Sequence, residues 1–311
     1  MALLDGRVCI VTGAGRGIGK DHALALAKRG AKVIVNDPGV AVDGSGQDNA
    51  PAQQVVDEIK AAGGEAVANF ADVSNFKQAE ELVEQAYKTY GKLDVVVNNA
   101  GILRDRMVWN MTEDDWDAVM RVHVKGTFNC TKHAALRWRN EFKQNNRPIG
   151  GRIINTVSGA MFGSTGQSNY GAAKAAIMGF TLGTALELAS IGVTVNAVRP
   201  GGQTRMSGSI PSTGALAEIT KAAQAEKAAK PVTKTTDGPE LVAYLASAQS
   251  QFISGQLMLI RDDKLELDKG WHIHKELKNR GGKDWTAEDL VVGVPKMIGT
   301  GPVGLIEFLG F

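Results

Sequence analysis

Apolar runs too short for helices recur along the first 260 residues, separated by longer stretches whose apolar positions repeat every three or four residues. Arg7–Val11 (Arg-Val-Cys-Ile-Val) is the first such run, and its lack of polar alternation marks a strand buried on both faces. Lys32–Asn36, Glu65–Phe70, Leu93–Val97, Gly151–Val157, Val193–Val198 and Gln256–Ile260, the last strand expected, read the same way. Between them the pattern predicts helices over Lys20–Arg29, Pro51–Ala62 (apolar stripe Val55, Val56, Ile59), Asn75–Tyr90 with Gly91 as its stop, Gln167–Ala189 and Asp237–Ala248. Thr112–Asn145 reads as one long helical region whose apolar face carries Trp116, Val119, Met120, Val122 and Phe128. Such uninterrupted alternation predicts an α/β fold, a doubly wound parallel sheet of about seven strands with helices on both faces. Residues 1–261 read as one domain, and 262–311 as a C-terminal extension packing on the core or on a neighbouring subunit.

Composition narrows the function classes. Basic and acidic residues nearly cancel (35 against 33, net +2), leaving no footprint for nucleic acid or a membrane surface. Cys9 and Cys130 lack metal-ligand or redox spacing and read as reduced structural thiols, and no metal site is expected. A strand-like run by Arg7 and no apolar stretch of transmembrane length give a cytoplasmic expectation. The 37 glycines exceed the average share of about 7%, and many fall where a chain must turn sharply or approach a ligand.

The most informative of these follow the first strand: Thr12-Gly13-Ala14-Gly15-Arg16-Gly17-Ile18-Gly19. Strand, glycine-rich turn and helix in succession is the context of a dinucleotide site, where small residues admit a pyrophosphate to the helix N-terminus. Asp37 ends the second strand at the distance expected of a carboxylate that binds the adenosine ribose hydroxyls. Beside a 2′-phosphate that carboxylate would repel, which favours NAD over NADP. Arg16 pulls the other way, since it could meet such a phosphate, pair with Asp37 or lie in solvent. Pro38–Ala50 is a long polar loop leaving the strand end where the adenosine should lie. Asp72-Val73 ends the third strand, where a carboxylate could meet the adenine amino group.

Ser168–Lys174 (Ser-Asn-Tyr-Gly-Ala-Ala-Lys) sets Tyr170 and Lys174 on one helical face, one turn apart. Making a phenol a base at neutral pH takes a shift of ~3 pKa units, about 4 kcal/mol. One cation at ~4 Å in an effective dielectric of ~20 supplies a similar amount. On spacing alone, a tyrosine and a lysine on an ordinary surface helix remains the plainer reading.

Thr12–Gly19, Asp72-Val73, Asn98–Gly101, Tyr170…Lys174 and Pro200-Gly201, in that order, resemble the motifs of the short-chain dehydrogenase/reductase family over about residues 5–260. The resemblance implies a Rossmann-like fold and a hydride-transfer enzyme acting on CH–OH groups. It implies that Tyr170 is the acid/base, that Lys174 orients the nicotinamide ribose and lowers the tyrosine pKa, and that an upstream serine polarises the substrate oxygen. It adds Ile18, Asn99, Ala100, Gly101, Pro200 and Thr204 to the cofactor contacts, with Gly13, Gly17 and Gly19 in the turn. Where the family carries an asparagine that holds a relay water, this chain has His123. An imidazole could hold the water or pass a proton itself, or be a packed histidine bonded to a backbone carbonyl. Eleven residues separate Ser158 from Tyr170, one fewer than usual. Counting from the strand gives Ser158 the catalytic place, counting back gives Val157, and the hydroxyl decides for Ser158, with Thr156 and Ser164 as weaker candidates.

Residues 205–236 fall where the family has its substrate lid. Lys221, Lys227, Lys230 and Lys234 there could attract a phosphorylated substrate such as an acyl-CoA, or simply be solvated. Trp271, Trp285 and Leu305–Phe311 mark the extension. The loop after Asp37, the run Asn98–Arg106, His123 and the short turn at Pro200 together resemble one branch of the family. That branch holds the dehydrogenase part of the peroxisomal multifunctional enzymes of D-specific β-oxidation and their bacterial stand-alone relatives, some active on 17β-hydroxysteroids. The implied reaction oxidises a (3R)-3-hydroxyacyl-CoA to the 3-ketoacyl-CoA with NAD, by a homodimer or homotetramer. Free steroid or terpenoid alcohols, the reducing direction, and a cofactor-binding protein without turnover remain open.

Overall fold

A computed structural model of the chain describes residues 2–46, 48–200, 237–261 and 264–268. Thr204, the lid at 205–236 with its four lysines, and the extension from 269 onward, with Trp271, Trp285 and Leu305–Phe311, lie outside the described residues.

The strands are β1 (Val8–Thr12), β2 (Lys32–Asn36), β3 (Glu65–Asn69), β4 (Val95–Asn98), β5 (Arg152–Thr156), β6 (Thr194–Val198), β7 (Leu257–Arg261) and β8 (Lys264–Asp268). They form one sheet in the order β3-β2-β1-β4-β5-β6-β7-β8. Seven run parallel, and β8 closes the edge as an antiparallel hairpin with β7. The sheet therefore continues past the end expected at residue 261. β8 escaped notice because Lys-Leu-Glu-Leu-Asp is a mostly exposed edge strand, with Leu265 and Leu267 open to solvent.

The helices are α1 (Gly17–Lys28), α2 (Ala50–Ala61), α3 (Phe76–Tyr90), α4 (Glu113–Met120), α5 (Gly126–Asn145), α6 (Ser168–Leu188) and α7 (Asp237–Ala246). Alternation along each strand splits the core in two. Cys9, Val11, Val33 and Val35 pack with Leu26, Val55, Ile59, Leu241 and Leu245 from α1, α2 and α7. Val8, Ile10, Ile34 and Val96 pack with Leu82, Trp138 and Ala185 from α3, α5 and α6. Helix ends follow local chemistry. Asn75 accepts the backbone N–H groups of Lys77 and Gln78 to start α3, and left-handed Gly91 (φ 79°) ends it. Thr112 and Asp115 cap α4 reciprocally.

Three expectations change. The helical region from Thr112 is broken by a π-helical turn, Arg121–Lys125, centred on His123. Its expected apolar face is not wholly buried: Val119 is in the core, while Trp116 and Phe128 are about two-fifths exposed (41% and 42%). Ser168–Ile191 does reach the length and mean hydropathy (1.2) of a membrane-crossing helix, because alanine and larger apolar residues fill it with few charges between them. It nonetheless packs on the sheet at β5 and β6 and carries a buried lysine.

His22, on α1, is 1% exposed, and neither ring nitrogen finds a partner among the described residues. Burial drops its pKa from 6.5 to about 4. As pH falls between those values the unfolded chain takes up a proton that the folded chain refuses, so stability declines by about 3 kcal/mol over that window. His22→Leu should flatten that decline. Urea unfolding should show a gain over the parent at pH 5 that exceeds the gain at pH 8, and equal gains would show that His22 does not govern acid stability.

Candidate active site

β1 and β4 lie side by side where the strand order reverses, and the crevice beyond their carboxyl ends is the usual dinucleotide position in such sheets. Thr12 holds the two ends together. Its hydroxyl donates to the Val97 carbonyl (3.3 Å) and accepts the N–H groups of Asn99 and Ala100 (both 3.0 Å). The Asn99 amide donates to the carbonyls of Thr12 (3.0 Å) and Gly13 (3.1 Å). That closeness leaves no room for side chains. A Cβ on Gly13 (φ 62°) would lie 2.8 Å from the Ala100 Cα, and one on Gly19 would lie 2.1 Å from the Gly13 carbonyl oxygen. A Cβ on Gly17 (φ 52°) would meet nothing within 4 Å among the described residues.

The first turn of α1, including Ile18, has neither an acidic residue nor a side-chain cap, so its N–H groups remain available to an anion. Asp37 accepts the N–H of Gly15 on one oxygen (2.8 Å) and that of Gly39 on the other (2.7 Å). Its carboxylate is thus anchored beside the glycine turn. Arg16 turns to the following loop, donating to the Val40 carbonyl (3.4 Å) and lying 3.7 Å from Asp48. Of the three positions open to Arg16, pairing with Asp37 is not the one found. Asp72 accepts the N–H of Ser74 (2.9 Å), and the Val73 carbonyl accepts the Asn129 amide (2.8 Å), which fixes this corner against α5. Pro200 follows β6 at the same edge. A crevice closed by glycines, open at Gly17 and lined by free N–H groups fits a nicotinamide dinucleotide.

On the other side of the crevice, a buried amide ladder fixes β4, β5, α5 and α6. Asn98 donates to Asn155 (2.9 Å) and Thr131 (3.1 Å), and Asn155 donates to Thr181 (2.9 Å). β5 then delivers Ser158, whose hydroxyl starts the 3₁₀ turn Gly159–Phe162 by accepting the Ala160 N–H (3.3 Å). Ser158 lies near enough to Tyr170 for its hydroxyl to favour the phenolate. Val157 points into a core cluster, Thr156 has a buried hydroxyl without a partner among the described residues, and Ser164 donates to Gln167 (2.8 Å). Gly171 lets α6 approach the 3₁₀ turn, since a Cβ there would lie 2.6 Å from the Ala160 carbonyl oxygen. The shortened interval is absorbed in this way, with Ser158 still against Tyr170.

Lys174 is 3% exposed, its Nζ donates to the Thr156 carbonyl (2.7 Å) and lies 5.6 Å from the Tyr170 ring centre. The expected electrostatics are not found. Burial raises the Tyr170 pKa and the Asp105 carboxylate raises it further, against the Ser158 hydroxyl, which lowers it. Lys174 bears the desolvation itself, and its pKa falls to about 7. With its own pKa at about 7, Lys174 is neutral by the pH at which the phenol ionises, so it brings no cation to the phenolate.

His123 is 1% exposed and sits edge-on to Tyr170, ring centres 5.2 Å apart. Its Nε2 lies 3.1 Å from the Ile102 nitrogen and 2.8 Å from the Ile102 oxygen, and its Nδ1 has no partner among the described residues. Burial, with Lys174 and against the Ile102 hydrogen bond, drops its pKa to about 3. Burial thus favours the neutral imidazole over an imidazolium. The ring explains Gly101, where a Cβ would lie 2.2 Å from His123 Cε1.

Two positioning residues went unnoticed in the sequence. Asn169 accepts the Tyr170 N–H (2.8 Å) and donates to the carbonyls of Arg104 (3.0 Å) and Asp115 (3.1 Å). Asp105 accepts the Gln167 amide on one oxygen (2.9 Å), while its other oxygen is buried without a partner among the described residues. A buried Asn just before Tyr170 was the only available signal for the first, and a lone Asp in a loop gives none for the second.

Asp105→Asn removes a negative charge facing Tyr170 and should lower its ionisation pH. Ultraviolet phenolate titration, with Tyr170→Phe as the blank, reads this directly, and an unmoved curve would remove Asp105 from the electrostatics of the site.

A family model described as short chain dehydrogenase matches residues 7–215. "Hydroxyacyl-CoA dehydrogenase ChsB1" of Mycobacterium tuberculosis is 38% identical over 293 residues, covering 92% of this chain and 87% of that protein. Mouse "Peroxisomal multifunctional enzyme type 2" is 45% identical over 203 residues, 65% of this chain, which spans only 26% of that longer protein. The crystal structure of a short chain dehydrogenase from Mycobacterium avium superposes with a TM-score of 0.79 at 42% identity, over 97% of this chain and 98% of that one. With the family match extending over well more than half its length, the chain belongs to the short-chain dehydrogenase family.

Proposed function

We propose that this oxidoreductase interconverts a (3R)-3-hydroxyacyl-CoA and its 3-ketoacyl-CoA, with NAD rather than NADP. The observation that carries the reaction type is the group Ser158, Tyr170 and Lys174 gathered just past β5 and on α6 beside the glycine-lined crevice. The acyl-CoA class is supported by the mycobacterial relative named as a hydroxyacyl-CoA dehydrogenase, most of whose length this chain matches. NAD is supported by Asp37, whose anchored carboxylate faces the glycine turn where a 2′-phosphate would add like charge.

A bound nicotinamide dinucleotide supplies the hydride acceptor. Gly13, Gly17, Ile18 and Gly19 would hold its pyrophosphate, Asp37 its ribose, Asp72 and Val73 its adenine. Asn99, Ala100, Gly101, Lys174, Pro200 and Thr204 would hold the nicotinamide half. Ser158 donates a hydrogen bond to the substrate oxygen and stabilises its developing charge. Tyr170 takes the hydroxyl proton in oxidation and returns it in reduction. His123, being neutral, keeps the Ile102 turn and the Tyr170 ring in place and offers Nδ1 to a bound water.

The raised Tyr170 pKa favours a second reading of direction. A protonated phenol is ready to give a proton, so ketone reduction has the right protonation state near neutrality, and oxidation gains it as pH rises. The exposed apolar row Phe128, Leu136, Leu182 and Leu186 on α5 and α6 supports assembly with a second copy. The free, buried Cys9 and Cys130 support a reducing, cytoplasmic location.

NAD and NADP crossed with a 3-hydroxyacyl-CoA and a free steroid alcohol test the assignment. The hydroxyacyl-CoA with NAD should be turned over fastest, oxidation climbing with pH and reduction falling. Preference for the free steroid would overturn the substrate class. Tyr170→Phe should cut kcat by roughly 10²–10⁴-fold, and an unchanged rate would remove Tyr170 from the chemistry; a parent that binds NADH yet oxidises no secondary alcohol would be a binding protein without turnover. His123→Ala should lower kcat, and an unaltered rate and pH profile would end its role.

A further inference from the structure

The loop after β2 does more than leave the adenosine corner. Its foot is pinned at Asp37, which accepts the Gly39 N–H (2.7 Å), and at Pro38, whose carbonyl accepts the Asp48 N–H (3.3 Å). Its tip is a tight turn, with the Ala41 N–H on the Ser45 carbonyl (2.7 Å), the Gly44 N–H on the Ala41 carbonyl (3.1 Å), and Asp43 accepting both the N–H and the hydroxyl of Ser45. That tip does not sit over β2. It docks on the segment that follows β4: the Leu103 N–H donates to the Val42 carbonyl (2.9 Å), and a Cβ on Gly44 (φ 88°) would lie 3.1 Å from Ile102 Cδ1. Val40 joins the cluster of Ile102, Ala118, Val119 and Ala173 against which Tyr170 also packs. β1 lies between β2 and β4 in the sheet, so residues 38–46 run across the carboxyl end of β1, over the crevice.

One side chain fastens the far end. Arg104 donates from Nε to the Asp43 carbonyl (2.9 Å), while its Nη1 pairs with Asp114 and lies 3.9 Å from Asp115 at the start of α4. The guanidinium joins strap, post-β4 segment and helix in one fork, a geometry a lysine reproduces only in part. Near the foot, Arg16 adds a second tie through the Val40 carbonyl and Asp48.

We infer that Arg104 is a positioning residue that latches the 38–46 strap across the cofactor crevice, so that nucleotide leaves only when the latch opens. This rests on the dinucleotide reading of that crevice. Arg104 is assigned no contact with the reacting atoms, so the latch sets exchange of the nucleotide and not the chemical step. Where product nucleotide release limits turnover, loosening the strap raises kcat while raising the KM for the nucleotide.

Stopped-flow dissociation of NADH from the full chain, followed by nicotinamide fluorescence, tests this. Arg104→Ala should raise the dissociation rate at least fivefold and raise the nucleotide KM, with single-turnover hydride transfer at saturating nucleotide held within twofold. Arg104→Lys should recover part of the loss. Gly44→Val attacks the tip without touching charge and should speed release as well, which keeps the test intact if Arg104→Ala fails to fold. Folded variants that release NADH at the parent rate would overturn the latch. A parent that binds neither NADH nor NADPH would instead overturn the dinucleotide reading itself.

Discussion

A buried ammonium held by one backbone carbonyl sets the terms for the whole site. Lys174 comes out of water at a cost of several kcal/mol, and the Thr156 carbonyl offsets only part of it, which is why its pKa falls to about 7. Holding that carbonyl in place requires β5 to be fixed relative to α6. The ladder Asn98–Asn155–Thr181 does this from inside the sheet, with side-chain amides where apolar residues would pack more cheaply. Tyr170, one turn earlier on the same helix, inherits its position from the Lys174 anchor and its orientation from Asn169 below and His123 beside it.

The segment after β4 is the second organising element. In six residues Gly101–Arg106 touches nearly everything that matters: His123 through Gly101 and Ile102, the strap through Leu103 and Arg104, α4 through Arg104, and the start of α6 through Asp105 and Arg106. Gly101 and His123 specify one another, because an imidazole packed on a glycine leaves no room for even a methyl group. A π turn adds one residue to the helical ring, and this one falls at the point where His123 is delivered inward.

Strand and helix periodicity made the parallel sheet legible because each strand buries both faces and each helix one, so solvent exposure is written directly in residue type. β2 was placed to the residue and most other strand ends to within two. What escaped was set by tertiary contacts. Lys264–Asp268 has the polarity of a loop and becomes a strand only because β7 offers an edge. The π turn has no composition of its own. In the site, Tyr170 and Lys174 were legible as an i, i+4 pair, and Ser158 could be told from Val157 by its hydroxyl alone. The sign of the Tyr170 shift was not legible. Spacing gives a cation's place along the chain, whereas the pKa depends on how deeply each group is buried and on Asp105, sixty-five residues away.

That sign bears on how the enzyme divides its labour. A family lysine is expected to help its tyrosine ionise, yet here the two groups compete for the same scarce solvation. The phenol stays protonated and the ammonium is half inclined to lose its proton. Both tendencies favour the neutral pair, which suits delivery of a proton to a ketone oxygen. Oxidation must therefore draw on something further to stabilise the phenolate. Among the described residues, the Ser158 hydroxyl is the group acting on Tyr170 that pulls that way. The rest has to come from what fills the crevice, and a strap that keeps the crevice filled also keeps the tyrosine in its working state.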